Sequence, residues 1–140
     1  MTFLMSAMLA ALLQSSAGWT WTLYEGDGPV VLANEIPDTP ELRTTLQCDS
    51  GSSAVEVSVL LPDAQPGFAR LRAGDATATS EARAERDGRL GVALRTDHPL
   101  FAAFSATGDM MVAVGDAATR VTVPSQHLPK LRRFSDLCSG

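Results

Sequence analysis

The side chains whose type and spacing suggest chemistry are Cys48 and Cys138, His98 and His127, and the run Asp49-Ser50-Gly51-Ser52-Ser53. That run sets a carboxylate beside hydroxyls in a tight glycine turn. Such a carboxylate works as general acid or base when a second one faces it, because like charges at close range share one proton. One chain supplies one aspartate of this kind, so hydrolysis by this route calls for two copies. The same residues are ordinary turn formers between strands, and that is the reading taken for them. A zinc site built on the two cysteines would need two further ligands, and His98 and His127 show no ligand spacing. Asp97-His98 stands directly before Pro99, where a helix cap accounts for the aspartate. There is no G-x-S-x-G, and Gly26-Asp27-Gly28-Pro29 has no helix after it to cradle a phosphate. Neither a cofactor nor a metal is expected.

The two cysteines take their meaning from the N-terminus. Residues 1–17 contain no charged side chain, residues 3–13 are almost continuously apolar, and Ser15-Ser16-Ala17 places small residues at a cleavage site. This is the pattern of a secretory signal peptide cut after Ala17, leaving 18–140 as a single domain; the one departure is an n-region whose only charge is the α-amino group. A helix over 3–13 would cover about 16 Å of a roughly 30 Å hydrocarbon layer, too little for a span. In an exported chain whose whole cysteine set is Cys48 and Cys138, one disulfide is expected. The strand period puts Leu42, Leu46 and Cys48 on one face. Leu128, Leu131, Phe134 and Cys138 recur at helical spacing. Both sulfurs therefore point to the apolar side of their elements.

The rest of the chain must position these residues, and its dominant signal is short strands. With 140 residues, 45% of them hydrophobic, the chain can bury a core, and wholesale disorder is excluded. Sixteen acidic against eleven basic residues, and Lys130 as the only lysine, exclude a nucleic-acid-binding role. Period-two alternation marks strands at 19–24, 30–33, 42–48, 54–61, 68–73, 76–85, 89–96, 110–114 and 119–123. Residues 76–85 offer nothing large to bury and read as an edge strand or a mobile hairpin arm. Residues 98–104 form a short helix ended by Gly108, and a second helix at the C-terminus starts near Ser125, with Pro129 in its first turn. The expected fold is mainly β, an antiparallel sandwich or small barrel of about eight strands with one short internal helix and a C-terminal helix. Lys130, Arg132 and Arg133 make a basic patch on the outer side of that last helix. It is a candidate contact for an acidic partner or lipid headgroups, the alternative being charge that complements the helix dipole.

Three stretches carry a resemblance when taken together: Trp21-Thr22-Leu23-Tyr24-Glu25, Leu46-Gln47-Cys48-Asp49-Ser50-Gly51 with its valine-rich following strand, and Leu131-Arg132-Arg133-Phe134-Ser135-Asp136-Leu137-Cys138. This layout resembles the small bacterial envelope proteins of the TagO/VasI group, associated with type VI secretion, and less closely the invasion-associated locus B proteins. The resemblance implies an exported β-sandwich, periplasmic or secreted, that acts by binding a protein partner of the envelope and has no catalytic residues. Two alternatives stay open. The Asp49 loop resembles the D-[ST]-G-[ST] loop of retropepsin-like aspartic peptidases, with Val112-Ala113-Val114-Gly115 as a second element; Gln47 and Cys48 stand where that pattern has apolar residues. The other alternative is a small-ligand or inhibitor barrel, which would hold a deep apolar cavity in place of a filled core.

Overall fold

Alternation of buried and exposed side chains builds nine strands in the computed structural model, which describes residues 18–140. The expected leader, 1–17, lies outside the described residues. The strands are β1 (Thr20–Tyr24), β2 (Val30–Glu35), β3 (Leu42–Cys48), β4 (Ala54–Leu60), β5 (Gly67–Ala73), β6 (Ala76–Ala84), β7 (Arg89–Arg95), β8 (Asp109–Val114) and β9 (Ala117–Thr122). All are antiparallel and belong to one sheet in the order β1-β2-β3-β4-β7-β6-β5-β8-β9. The sheet curls into a half-barrel. Its two edge strands are linked by a side chain, since the Trp21 indole N–H donates to the Thr122 carbonyl across 3.1 Å.

Two helices, α1 (Pro99–Thr107) and α2 (Leu128–Cys138), complete the core. Leu100, Phe101 and Phe104 of α1 and Leu131, Phe134 and Cys138 of α2 belong to one buried cluster with Leu32, Leu46, Val57, Leu71 and Val112 of the sheet. α1 packs against β5, β6 and β8, and α2 against β1 and β2. The interior where a ligand barrel would keep a cavity is filled by these side chains.

Three local expectations are corrected. Asp97 does not cap α1: the His98 Nδ1 accepts the Leu100 N–H at 3.0 Å, and Asp97 instead pairs with Arg95. Ser125 does not cap α2; it opens a single 3₁₀ turn, Ser125–His127, that leads into the helix without a side-chain cap. Third, β6 lies inside the strand order rather than at an edge. β5 accompanies it from Ala76 to Ala82, but β7 pairs with it only at Ala82, Arg83 and Ala84.

Candidate functional site

Cys48 closes β3 and Cys138 closes α2, and the two form a disulfide with a Cα–Cα distance of 5.8 Å across 90 residues of sequence. Both are buried. The loop that follows Cys48 is sewn onto the same helix end. The Gly51 N–H donates to the Leu137 carbonyl at 2.9 Å and the Ser53 N–H to the Cys138 carbonyl at 2.7 Å. The Ser50 hydroxyl also reaches the Leu137 carbonyl, and the Gly140 N–H donates to Ser53 Oγ. Carbonyls in the last turn of a helix have no partner within it, so the Asp49–Ser53 turn acts as the C-terminal cap of α2 from outside. Gly51 and Ser53 both adopt positive φ, at 74° and 61°, to aim those amides. Asp49 itself is exposed on the rim of this clasp.

The basic residues of α2 are placed unequally. Lys130 donates from Nζ to the Trp21 carbonyl at 2.6 Å, and Arg133 pairs with Glu25 at 2.9 Å. That pair holds the Glu25 carboxyl below its ordinary range. Both residues thus fasten α2 to the start of the sheet. Arg132 is exposed and has no partner among the described residues. His127 is half-buried, its Nδ1 shut off from solvent and partners among the described residues. Burial, and then the Lys130 charge, push its pKa down. His98 and His127 do not come together with Asp or Glu as a metal-binding group among the described residues.

A polar network on the outer side of the sheet was not visible as such in the sequence. Ser58, between Val57 and Val59, is buried rather than solvated. Its hydroxyl donates to Glu85 at 2.6 Å and accepts from Arg89 Nε at 3.0 Å. The Arg89 guanidinium further reaches the carbonyls of Leu42, Arg43 and Ser58, tying three strands together. Burial lowers its pKa, opposed by the charges of Glu85 and Asp87. Gly91 makes the room: a Cβ there would stand 2.5 Å from a carboxylate oxygen of both Glu56 and Glu85. A glycine inside a strand is the one sequence signal of such a close approach.

The outer face also carries Phe68, 81% exposed, directly across from Glu81. Beside it opens a cleft of about 680 Å³ bounded by Asp63, Pro66, Val114 and Asp116. Tyr24, at the other end of the sheet, donates to Glu35, and that bond raises its pKa. Arg43 stacks over the Trp19 ring at 3.8 Å. No helix among the described residues is long and apolar enough to cross a membrane.

Comparison with known proteins returns no match, whether to family models, characterised proteins or solved structures.

Proposed function

We propose that this chain is an exported, disulfide-strapped binding module of the bacterial envelope, an accessory of an envelope or secretion assembly of the TagO/VasI kind. The clasp is the observation that carries this reading. A buried disulfide that ties the last helix to the sheet suits an oxidising compartment, where such bonds form and persist. The one loop with a hydrolytic pattern, Asp49 to Ser53, gives its amides to the end of α2. Phe68 supports the binding role: a large aromatic held out on a strand, beside an open cleft, is a contact in search of a partner.

The test is a pull-down from bacterial envelope extract with the oxidised protein as bait. Recovery of a defined complex, weakened by Phe68→Ser, is the expected result. A blank from the oxidised parent would overturn the reading. So would cleavage of a peptide library by the parent that Asp49→Asn abolishes, since that outcome would make the loop an aspartic dyad in a homodimer.

A further inference from the structure

The nine-stranded sheet is split. β5 runs beside β6 as far as Ala76, and β4 runs beside β7 as far as Arg95, yet β6 and β7 part company beyond the pair Ala82 and Val92. Had the register continued, Glu81 would face Ala93 and Thr79 would face Arg95. A cleft of about 310 Å³ lies there instead, bounded by Ala78, Ser80, Leu94, His98 and Pro99.

The backbone direction on each rim follows from one bond. The Glu85 N–H donates to the Arg89 carbonyl at 2.8 Å, so residue 85 turns its backbone groups toward β7. Antiparallel ladders alternate, so Thr77, Thr79 and Glu81 turn theirs the same way. The Glu81 carbonyl takes part in the bond with the Ala93 N–H that closes the Ala82–Val92 pair. Among the described residues no strand pairs on that side with Thr77, with Thr79 or with the Glu81 N–H. On the opposite rim, the Ala93 carbonyl and the Arg95 N–H face the cleft; the Arg95 carbonyl already accepts from the His98 N–H. Exposed strand edges are normally blunted by lysine, proline, a bulge or inward charge. The stretch from Ala76 to Ser80 has none of these, and its register with β5 is unbroken.

We infer that this cleft takes an extended segment of a partner polypeptide, which adds as a strand along β6 and bridges to β7. The inference rests on the binding role proposed above and gives it a site. Only a polypeptide backbone matches alternating donors and acceptors at strand spacing. The two facing rims select a single unpaired strand. The β6 of a second copy is already paired with its own β5 and can meet one rim only. The outward side chains set the charge of the guest. Glu81 is exposed and has no ion-pair partner among the described residues, whereas Arg95 is neutralised by Asp97 and Arg83 by Glu56. A lysine or arginine on the guest's outer face would therefore sit beside Glu81, which stands between it and Phe68. Small or apolar residues on its inner face would settle between Ala78, Ser80, Leu94 and Pro99.

Random dodecamer peptides displayed on phage and selected on the disulfide-intact protein test this. Recovered peptides are expected to carry alternating apolar and basic residues and to slow amide exchange at Thr77, Thr79 and Glu81. Thr79→Pro removes one cleft-facing N–H without touching the β5 ladder and is expected to weaken binding at least tenfold. Glu81→Lys, an exposed change that leaves the fold alone, should weaken the basic peptides by a similar factor. The proposal is overturned by recovery of no peptide, by peptides that protect other amides, or by peptides that bind both variants as tightly as the parent. Self-association that protects these amides without peptide would make a second copy the occupant and overturn it too. If Thr79→Pro still captures the same envelope complex as the parent, the binding role stands and this site falls; if neither captures one, the binding role itself falls.

Discussion

Gly51 and Gly108 have nearly the same backbone, with φ of 74° and 79°, and very different surroundings. At Gly51 a Cβ would meet nothing within 4 Å, so Gly51→Ala is expected to cost only the left-handed conformation, about 1 kcal/mol. At Gly108 a Cβ would stand 2.2 Å from the Val123 carbonyl oxygen, which the backbone cannot give up because the Val123 N–H donates to the Gly108 carbonyl at 2.7 Å. Gly108→Ala is therefore expected to lose about 3 kcal/mol or more, read as a fall in denaturation midpoint without change in slope. Equal losses for the two variants would contradict this geometry. His127 gives a second prediction at the same scale. Its folded pKa lies below the ordinary value, so between the two values the unfolded chain binds the extra proton. Its contribution is fully present above about pH 6.5 and declines as the pH falls through the depressed folded value. Melting temperature should drop across that range, and His127→Gln should remove that part of the drop.

At the scale of elements, the clasp joins a strand end, a turn and a helix end. The Asp49 side chain makes none of its bonds, so Asp49→Asn should shift stability by no more than about 0.5 kcal/mol. Cys138→Ser is expected to cost about 2–5 kcal/mol, by the usual measure of a native disulfide, and to loosen the last turn of α2 first. Amide exchange at Gly51 and Ser53, whose N–H groups donate to Leu137 and Cys138, should rise together in that variant. Exchange that stays slow there would mean the turn caps the helix without the disulfide. The strands and the pairing of Cys48 with Cys138 were legible because period-two alternation and the helical stripe through Leu131, Phe134 and Cys138 depend only on local geometry. The position of β6 was not. Alanine, threonine and charge describe an exposed strand, and in one sense β6 is one, since only Ala82, Arg83 and Ala84 pair with β7. β7 follows β6 through the short turn at Arg86–Gly88, so that hairpin is local; what the residues did not convey is that it opens after three pairs while β7 runs on along β4, a long-range pairing carried by no local pattern. The cap on α1 was missed for a local reason. Asp97 is the better capping residue in isolation, but Arg95 two positions earlier takes both its oxygens and leaves the task to His98.

For the whole molecule, sheet curvature and disulfide act on one problem. A half-barrel leaves two edge strands that would otherwise lie open, and here β1 and β9 are bridged by Trp21 to Thr122, while Lys130 of α2 holds the Trp21 carbonyl from the other side. Arg133 adds its pair with Glu25 just past the end of β1. α2 is thus bolted to the β1 side of the seam, and the disulfide keeps that bolt in place from the far end of the helix. Loss of the bolt should expose the seam rather than only soften the helix. Reduction of the Trp19→Phe variant is therefore expected to raise the fluorescence response of a dye that binds exposed apolar surface, and to move the Trp21 emission to longer wavelength, before far-ultraviolet circular dichroism reports loss of strand. Simultaneous change in all three signals would mean that the sheet does not survive without the clasp. That outcome would make oxidation a condition of folding, a still stronger tie between this architecture and an oxidising compartment.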